Sequence, residues 1–228
     1  MIPTRWNGAK VALLACGSFN PPTFMHLRMF ERARDLLQQE YKCTVVEGII
    51  SPVGDRYGKS ELISSSHRLR MCELAVRSSE WIRADGWECS QTSWTRTRVV
   101  LEHHRSVLQA KHGTDIQLIL LCGEDFVDSF AVVLASGENL WKSEDLSHIF
   151  TQYGVVCLQR VGGDARKTLE GLAVPKEHVS NVIFVQDETF PNSLSSTRLR
   201  NAIRNGLSIR YCSVDEVVEY VKEFSLYK

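Results

Sequence analysis

One stretch near the start of the chain indicates the fold: the apolar segment KVALLAC at residues 10–16 runs directly into GSFNPPTFMH at residues 17–26. An apolar run of this length is typical of a buried strand, and the glycine and prolines that follow indicate a turn. Residues 26–39 then place apolar side chains at helical spacing with charges between them. The order strand, turn, amphipathic helix is the first unit of an α/β fold.

The same alternation continues along the chain. Five further strands are predicted, at residues 44–50, 81–84, 117–122, 154–159 and 181–185. A helix is predicted after a loop that ends at about Ser64, with Leu69, Cys72, Ala75 and Val76 on one face. Further helices are predicted from Thr92 to a C-cap at Gly113, and over residues 197–205 and 213–224. Because parallel strands need crossover connections that cover the sheet, we predict a doubly wound, Rossmann-like parallel sheet with helices on both faces.

Smaller features refine this expectation. Ser213 with Glu216 three residues later predicts a capping box at the start of the last helix. Residues 131–139 and 161–178 are expected to be rich in loops. With 228 residues and no repeat or linker, we expect one domain over residues 1–228, with a helical part from about residue 190 packed on it.

Composition argues against several classes of function. Lys+Arg 27 and Asp+Glu 27 cancel, so no overall field favours nucleic acid or an anionic membrane as a partner. No segment approaches the ~20 apolar residues of a membrane span, and residues 1–10 do not resemble a signal peptide. The 7 cysteines include no Cys-x-x-Cys motif, so we interpret them as reduced, mostly buried thiols of an intracellular protein.

The turn after the first strand carries the first chemical signal. It lacks the Gly-x-Gly-x-x-Gly pattern of dinucleotide oxidoreductases, which removes the main support for hydride transfer. Gly17 allows a close backbone approach, Ser18 and Thr23 supply hydroxyls, and His26 stands at the start of a helix. A lone histidine there would be a capping or packing residue, but this combination suits a phosphate.

A second basic segment supports a phosphate site. Residues 195–211 contain four arginines and no acid, in a chain that is otherwise balanced. Such a cluster is usually a solvated helix face. Here Ser195, Ser196 and Thr197 precede the predicted helix, so hydroxyls, free amide groups and a guanidinium can converge at its N-terminus.

These residues resemble a known family. In the nucleotidylyltransferase superfamily a Thr or His stands three residues before a His, as Thr23 does before His26 here. Six further segments, in order along the chain, are similar to eukaryotic nicotinamide/nicotinate mononucleotide adenylyltransferases. They are ISPVGDRY at 50–57, SHR at 66–68, WE at 87–88, LLCGED at 120–125, NLW at 139–141 and LSSTRLR at 194–200.

The resemblance implies transfer of the adenylyl group of ATP to nicotinamide or nicotinic acid mononucleotide, in NAD biosynthesis, with Mg²⁺ bound through the ATP phosphates. It implies catalytic roles for His26, Thr23 and Arg200. The residues implied for ATP are Gly17, Ser18, Phe19, His26, Gly123, Asp125, Ser196, Thr197 and Arg200. Those implied for the mononucleotide are Tyr57, Lys59, Trp87, Glu88, Leu140 and Trp141.

Alternatives stay open at this point. Another nucleotidylyltransferase would share Thr23 and His26, and a non-catalytic nucleotide-binding or chaperone-like protein would keep the fold without turnover. His103 and His104 are adjacent on a helix and diverge by about 100°, so they cannot share a metal ion, and no metal site is expected. The resemblance implies a homo-oligomer. The short connection between Gly113 and Gln117 favours the cytoplasm, with the nucleus as the alternative.

Overall fold

A computed structural model describes residues 6–159, 164–189 and 194–228. Its six strands are β1 (Lys10–Gly17), β2 (Thr44–Pro52), β3 (Ile82–Ala84), β4 (Gln117–Gly123), β5 (Val155–Leu158) and β6 (Val182–Val185). All neighbouring strands are parallel, and the order across the sheet is β3-β2-β1-β4-β5-β6. The predicted doubly wound α/β sheet is therefore confirmed, and each predicted strand end agrees within two residues.

Helices connect the strands in the described part of the chain. The longer ones are α1 (Phe24–Tyr41), α2 (Ser65–Val76), α3 (Thr97–His112), α5 (Ser143–Gln152), α8 (Ser196–Arg204) and α9 (Asp215–Glu223). The shorter ones are α4 (Glu124–Asp128), α6 (Ala165–Glu170) and α7 (Lys176–Val179). None of the helices in these described ranges is long and apolar enough to cross a membrane.

Two apolar cores cover the two faces of the sheet. On one face, Phe30 and Leu37 of α1 pack with Leu13 of β1. On the other face, Leu101 of α3 packs with Phe150 of α5 and with the strands. Burial on both faces explains why the strands are near-continuous apolar runs, with all of residues 11–15 fully buried.

The strand order reverses between β1 and β4. The chain moves outward from β1 to β2 and β3, then returns to place β4 on the other side of β1. Crossover connections leave on opposite sides of this point, so a crevice opens beyond the carboxyl ends of β1 and β4.

The C-terminal helices form a third apolar cluster with α2. Met71 of α2 contacts Leu199 of α8 and Val217 of α9 within this cluster. This is the packing expected of the C-terminal part, although residues 190–193 of that part lie outside the described residues. The single-domain boundary stays a prediction.

Four local expectations differ from the structure. α3 begins at Thr97 rather than Thr92, and α5 was not predicted, because its ten residues carry a short, charge-rich pattern. Helices α6 and α7 occupy part of the segment expected to be loops, of which residues 161–163 lie outside the described ranges. The capping box is wrong: the Ser213 hydroxyl donates to the Pro22 carbonyl over 2.8 Å, and Glu216 pairs with Arg77.

All seven cysteines are free thiols, as the sequence predicted. Five are buried, whereas Cys89 and Cys212 are half-buried. Burial raises the pKa of the Cys16 and Cys72 thiols well above their ordinary value, so these groups behave as small apolar side chains.

Candidate active site

A cleft of about 480 Å³ opens at the carboxyl ends of β1 and β4. Its volume is within the range of small-molecule sites, and its position is the one that the reversed strand order defines. Fourteen of the residues predicted from the sequence line it. They are Gly17, Ser18, Phe19, His26, Tyr57, Lys59, Glu88, Gly123, Asp125, Leu140, Trp141, Ser196, Thr197 and Arg200.

The turn after β1 forms one wall of the cleft. A Cβ atom added to Gly17 would lie 3.3 Å from the Phe19 ring, so glycine is what lets the ring fold back over the turn. Phe19 itself has φ 44° and is buried. Its ring meets the His26 imidazole edge-on, with centroids 5.1 Å apart. The turn therefore fixes the orientation of the histidine.

A hydrogen bond from the backbone of Thr23 indicates which ring nitrogen of His26 carries the proton. The backbone N–H of Thr23 donates to Nδ1 of His26 over 2.9 Å. A backbone amide can only donate, so Nδ1 is the acceptor nitrogen and the ring proton is on Nε2. His26 is thus a neutral imidazole whose Nε2–H can donate to an anion in the cleft.

Thr23 lies directly beside His26. Its side chain is buried, and the residue is not part of the cleft wall. The hydroxyl lies 2.9 Å from Nδ1 of His26. This placement favours a role through His26, as a positioning residue, and the predicted catalytic role of Thr23 stays a prediction.

Arg68, for which no role was predicted although it belongs to the SHR motif at 66–68, organises this wall. Arg68 is fully buried, and its guanidinium donates to three carbonyl groups, those of Ile63 at 2.9 Å, Ser18 at 3.0 Å and Val53 at 2.5 Å. Val53 directly follows strand β2, and Ser18 is part of the turn after β1. One side chain thus ties the turn to the neighbouring strand and to the start of α2.

The N-terminus of α8 lies next to the turn after β1 and also lines the cleft. Ser195 caps the helix by accepting from the Arg198 N–H over 3.3 Å. Ser196 and Thr197 line the cleft, but the Ser196 hydroxyl already donates to the Pro21 carbonyl over 2.8 Å. The free amide groups of this first turn remain favourable for an anion.

Arg200 lines the cleft from the next turn of α8. It is 8% exposed, and its guanidinium donates to the Asn20 carbonyl and to Glu61, both over 3.1 Å. Its Nε–H is buried without a hydrogen-bond partner. Arg200 and Arg204 together lower the pKa of Glu61, which remains an exposed counter-ion. Arg200 is thus held in place and retains donor capacity.

Gly123 and Asp125 follow β4 and face the cleft. No atom lies within 4 Å of a Cβ added at Gly123, so the space above this backbone is open to a ligand. Gly123 is the N-cap residue of α4, which argues against a capping role for Asp125. The position of Asp125 suits acceptance from the hydroxyls of a ribose.

The far end of the cleft is aromatic. Tyr57 and Trp94 line it as a tilted pair with centroids 6.4 Å apart. Trp141 also lines it, and its indole N–H donates to Ser129 over 3.0 Å. Trp94 was missed as a site residue because its spacing fits a helix that in fact begins three residues later, at Thr97.

Trp87 is not among the described residues that line the cleft. One face of its indole is covered by His103, whose ring is nearly parallel at a centroid distance of 3.9 Å. The motif that suggested Trp87, WE at 87–88, also contains Glu88, which does line the cleft. The predicted contact between Trp87 and the mononucleotide stays a prediction, whereas Trp94 and Trp141 are the tryptophans that line the cleft.

Glu88 is a buried acid in the cleft, 4% exposed. The Ser51 hydroxyl donates to its carboxylate over 2.7 Å. Burial raises the pKa of Glu88 to about 7, against the lowering effects of Ser51 and of the Arg68 charge. The carboxyl group is therefore partly protonated near neutral pH and can act as donor or acceptor.

Lys59 lines the cleft from the loop that follows the short helical turn at Asp55–Tyr57. Leu140 lines it directly before Trp141. The cleft thus has an anion-binding end, with His26 and the start of α8, and an aromatic end that carries a lysine. Among the described residues, no group of three or more His, Cys, Asp or Glu side chains could hold a metal ion.

A parallel sheet with a histidine at its switch point and an aromatic pocket beside it is an arrangement typical of nucleotide-binding proteins. Residues 14–202 match the family model described as Cytidylyltransferase-like. The chain belongs to this family, and within it to the nicotinamide/nicotinic acid mononucleotide adenylyltransferases, as the following identities show.

Two curated relatives carry this assignment. Nicotinamide/nicotinic acid mononucleotide adenylyltransferase 2 of Caenorhabditis elegans is 48% identical over 96% of this chain and 98% of its own length. Nicotinamide/nicotinic acid mononucleotide adenylyltransferase 1 of Bos taurus is 41% identical over 96% of this chain and 89% of its own length. The family that the sequence motifs resembled is therefore confirmed.

Solved structures agree on the fold. The nicotinic acid mononucleotide adenylyltransferase of Plasmodium falciparum, complexed with NaAD, superposes with a TM-score of 0.68 over 96% of this chain and 97% of that chain. The identity is 17%, so this likeness concerns the arrangement of the elements.

Proposed function

We propose that the protein transfers the adenylyl group of ATP to nicotinamide mononucleotide or nicotinic acid mononucleotide, which yields the dinucleotide and pyrophosphate. One observation carries this proposal: a single cleft joins the anion-binding end at His26 and α8 to the aromatic end at Tyr57, Trp94 and Trp141. The relatives named above are adenylyltransferases for these two mononucleotides.

The chemistry needs positioning more than proton transfer. The attacking group is the 5′-phosphate of the mononucleotide, which is already ionised near neutral pH, so no general base is required. Catalysis then depends on holding the two substrates in line and on stabilising the charge that develops at the α-phosphate.

His26 is the residue that we assign to this charge. Its Nε2–H donates to an α-phosphate oxygen, and Thr23 holds the ring in the tautomer that makes this possible. The backbone of the turn at Gly17 and Ser18 lies beside it. The amide groups at the start of α8, with Thr197 and Arg200, hold the departing pyrophosphate.

The mononucleotide occupies the aromatic end. Lys59 is placed to bind its phosphate, and the pyridine ring lies between the Tyr57–Trp94 pair and Trp141. Glu88 is close to this ring, where its carboxyl group can donate to or accept from the substituent on the pyridine. Asp125 and the open backbone at Gly123 serve the ribose of ATP.

Mg²⁺ is the metal that we propose for the reaction, bound through the phosphates of ATP. The described residues offer no cage of their own for a divalent ion, which fits a metal that arrives with its polyphosphate. Bound there, the ion neutralises charge on the triphosphate. Arg200 is the cationic residue at this end of the cleft that would share this task.

The test of the function is release of pyrophosphate by the purified protein with ATP, Mg²⁺ and each mononucleotide, with the dinucleotide identified by mass. Product from either mononucleotide supports the proposal. Turnover only with other phosphorylated acceptors would assign the chain another substrate in the same superfamily. Nucleotide binding without turnover would support a non-catalytic or chaperone-like role.

Two further proposals concern the protein in the cell. A homo-oligomer is proposed from the family resemblance, and light scattering of the purified protein measures it directly. The cytoplasm is proposed because only residues 113–116 join α3 to β4, which leaves no space there for an inserted basic targeting segment. Imaging of a tagged chain in cells would test this, and accumulation in the nucleus would overturn it.

A further inference from the structure

Residues 132–140, which we name the cleft hairpin, form a small antiparallel turn between α4 and α5. The bridge between Val133 and Asn139 pairs its arms. The backbone bonds are Leu134 N–H to Glu138 C=O at 2.8 Å, Gly137 N–H to Leu134 C=O at 2.8 Å and Leu140 N–H to Val132 C=O at 2.9 Å. Gly137 has φ 83°, a left-handed conformation that glycine adopts without strain. The segment that the sequence predicted as a loop is therefore ordered by its own backbone.

Both ends of the cleft hairpin are fixed to an aromatic cluster. Trp141 follows its second arm, and the indole ring lies 4.9 Å from Phe130 and 5.3 Å from Phe126, measured between ring centroids. Trp141 also donates to Ser129, just before the first arm. The hairpin is thus set in a defined place relative to the cleft.

The two apolar residues at the turn of the hairpin face different surroundings. Leu134 lines the cleft and is 42% exposed, whereas its neighbour Val133 is 59% exposed and does not line it. Glu138 and Leu140 line the cleft with Leu134. An apolar side chain that is left hydrated in the wall of a cleft gains free energy when a ligand covers it.

The neighbours of the hairpin identify the end of the cleft that it borders. Trp141 is adjacent to it in the chain. The start of α5, which follows, is joined to the segment carrying Trp94 by the ion pair of Arg96 with Asp145 at 3.4 Å. Leu134 therefore lines the cleft together with Leu140 and Trp141, which follow it in the chain.

We propose that the cleft hairpin is a binding element for the mononucleotide substrate and that Leu134 contacts its pyridine nucleoside. This inference rests on the proposed function, because it assigns a residue to the mononucleotide end of the same cleft. The contact is apolar and forms in the ground state and the transition state alike. Loss of this contact should therefore weaken binding of the mononucleotide and leave kcat unchanged.

The experiment compares Leu134→Ser with the matched control Val133→Ser in the same turn. We expect Leu134→Ser to raise the KM for the mononucleotide about fivefold to tenfold, with kcat and the KM for ATP unchanged. Calorimetric titration of each variant with the mononucleotide alone should show the same factor in Kd. Val133→Ser should match the wild-type chain in all of these quantities, and thermal unfolding should verify that both variants fold.

Different results separate the two proposals. Wild-type values for Leu134→Ser, or equal changes in both variants or for both substrates, would overturn the role of the hairpin while leaving the function intact. A wild-type chain that neither binds nor converts either mononucleotide would overturn the function and the hairpin proposal together.

Discussion

The backbone N–H of Thr23 donates to Nδ1 of His26 over 2.9 Å, which leaves the proton of the imidazole on Nε2. The side-chain hydroxyl of Thr23 is at the same distance from the same nitrogen. Because the amide alone is sufficient to define the tautomer, the threonine side chain is the less important of the two donors.

Replacement of His26 by alanine should lower kcat about a hundredfold, since one pre-organised donor to a developing charge contributes roughly 3 kcal/mol. Steady-state rates of pyrophosphate release measure this. Thr23→Val keeps the backbone donor and serves as the control, with a loss of less than about fivefold. Near wild-type turnover in His26→Ala would show that the mechanism is wrong.

The contribution of each tryptophan to mononucleotide binding can be measured by substitution with leucine, which removes the aromatic ring and keeps part of the volume. Trp94→Leu and Trp141→Leu should raise the KM for the mononucleotide about tenfold, because aromatic contacts and buried area are lost together. The KM for ATP should change little. Trp87→Leu tests the predicted contact of Trp87, whose ring stacks on His103. A comparable rise in the KM for the mononucleotide would support that contact, and a change of less than about twofold in both KM values would overturn it.

The sequence predicted the sheet well because buried parallel strands are apolar throughout, and this pattern is local. The residues predicted to bind ATP line one cleft, and the turn after β1 and the start of α8 are each a single continuous segment that a motif can reveal. The aromatic end also contains a residue that was not predicted, Trp94. Trp94 fits the helical spacing of Leu101 and Leu108, and only the start of α3 at Thr97 shows that it lies outside the helix.

Arg68 belongs to the SHR motif at 66–68, but its buried, bridging role could not be predicted from the sequence for a different reason. An arginine in a polar helix start is ordinarily solvated, and no acid at helical spacing marks it as buried. Its acceptors are carbonyl groups of three separate loops, which come together only in the folded chain. Tertiary structure alone determines such a contact.

Removal of Arg68 should therefore destabilise the fold as well as the site. Arg68→Met leaves the carbonyls of Ser18 and Val53 without this donor, and each buried unsatisfied group costs about 1–3 kcal/mol. We expect the free energy of unfolding, from urea titration, to fall by about 3 kcal/mol. Arg70→Met, on the exposed side of α2, should change it by less than about 0.5 kcal/mol. Equal effects of the two substitutions would contradict the bridging role of Arg68.

The buried carboxyl group of Glu88 predicts a pH dependence of stability. Its pKa is raised from 4.5 to about 7 in the folded chain, so between these values the folded state binds more protons than the unfolded state. The free energy of unfolding should therefore decrease as pH rises from about 4.5 to about 7, and then level off. The full decrease is at most about 3 kcal/mol, since each pKa unit corresponds to 1.36 kcal/mol.

Glu88→Gln removes this titration, so the difference in unfolding free energy between the wild-type chain and the variant should grow over this pH range in favour of the variant. Urea unfolding at intervals of half a pH unit measures it. A constant difference for Glu88→Gln would mean that the carboxyl group is hydrated in the folded protein, and that its proton is not available to the substrate in the cleft.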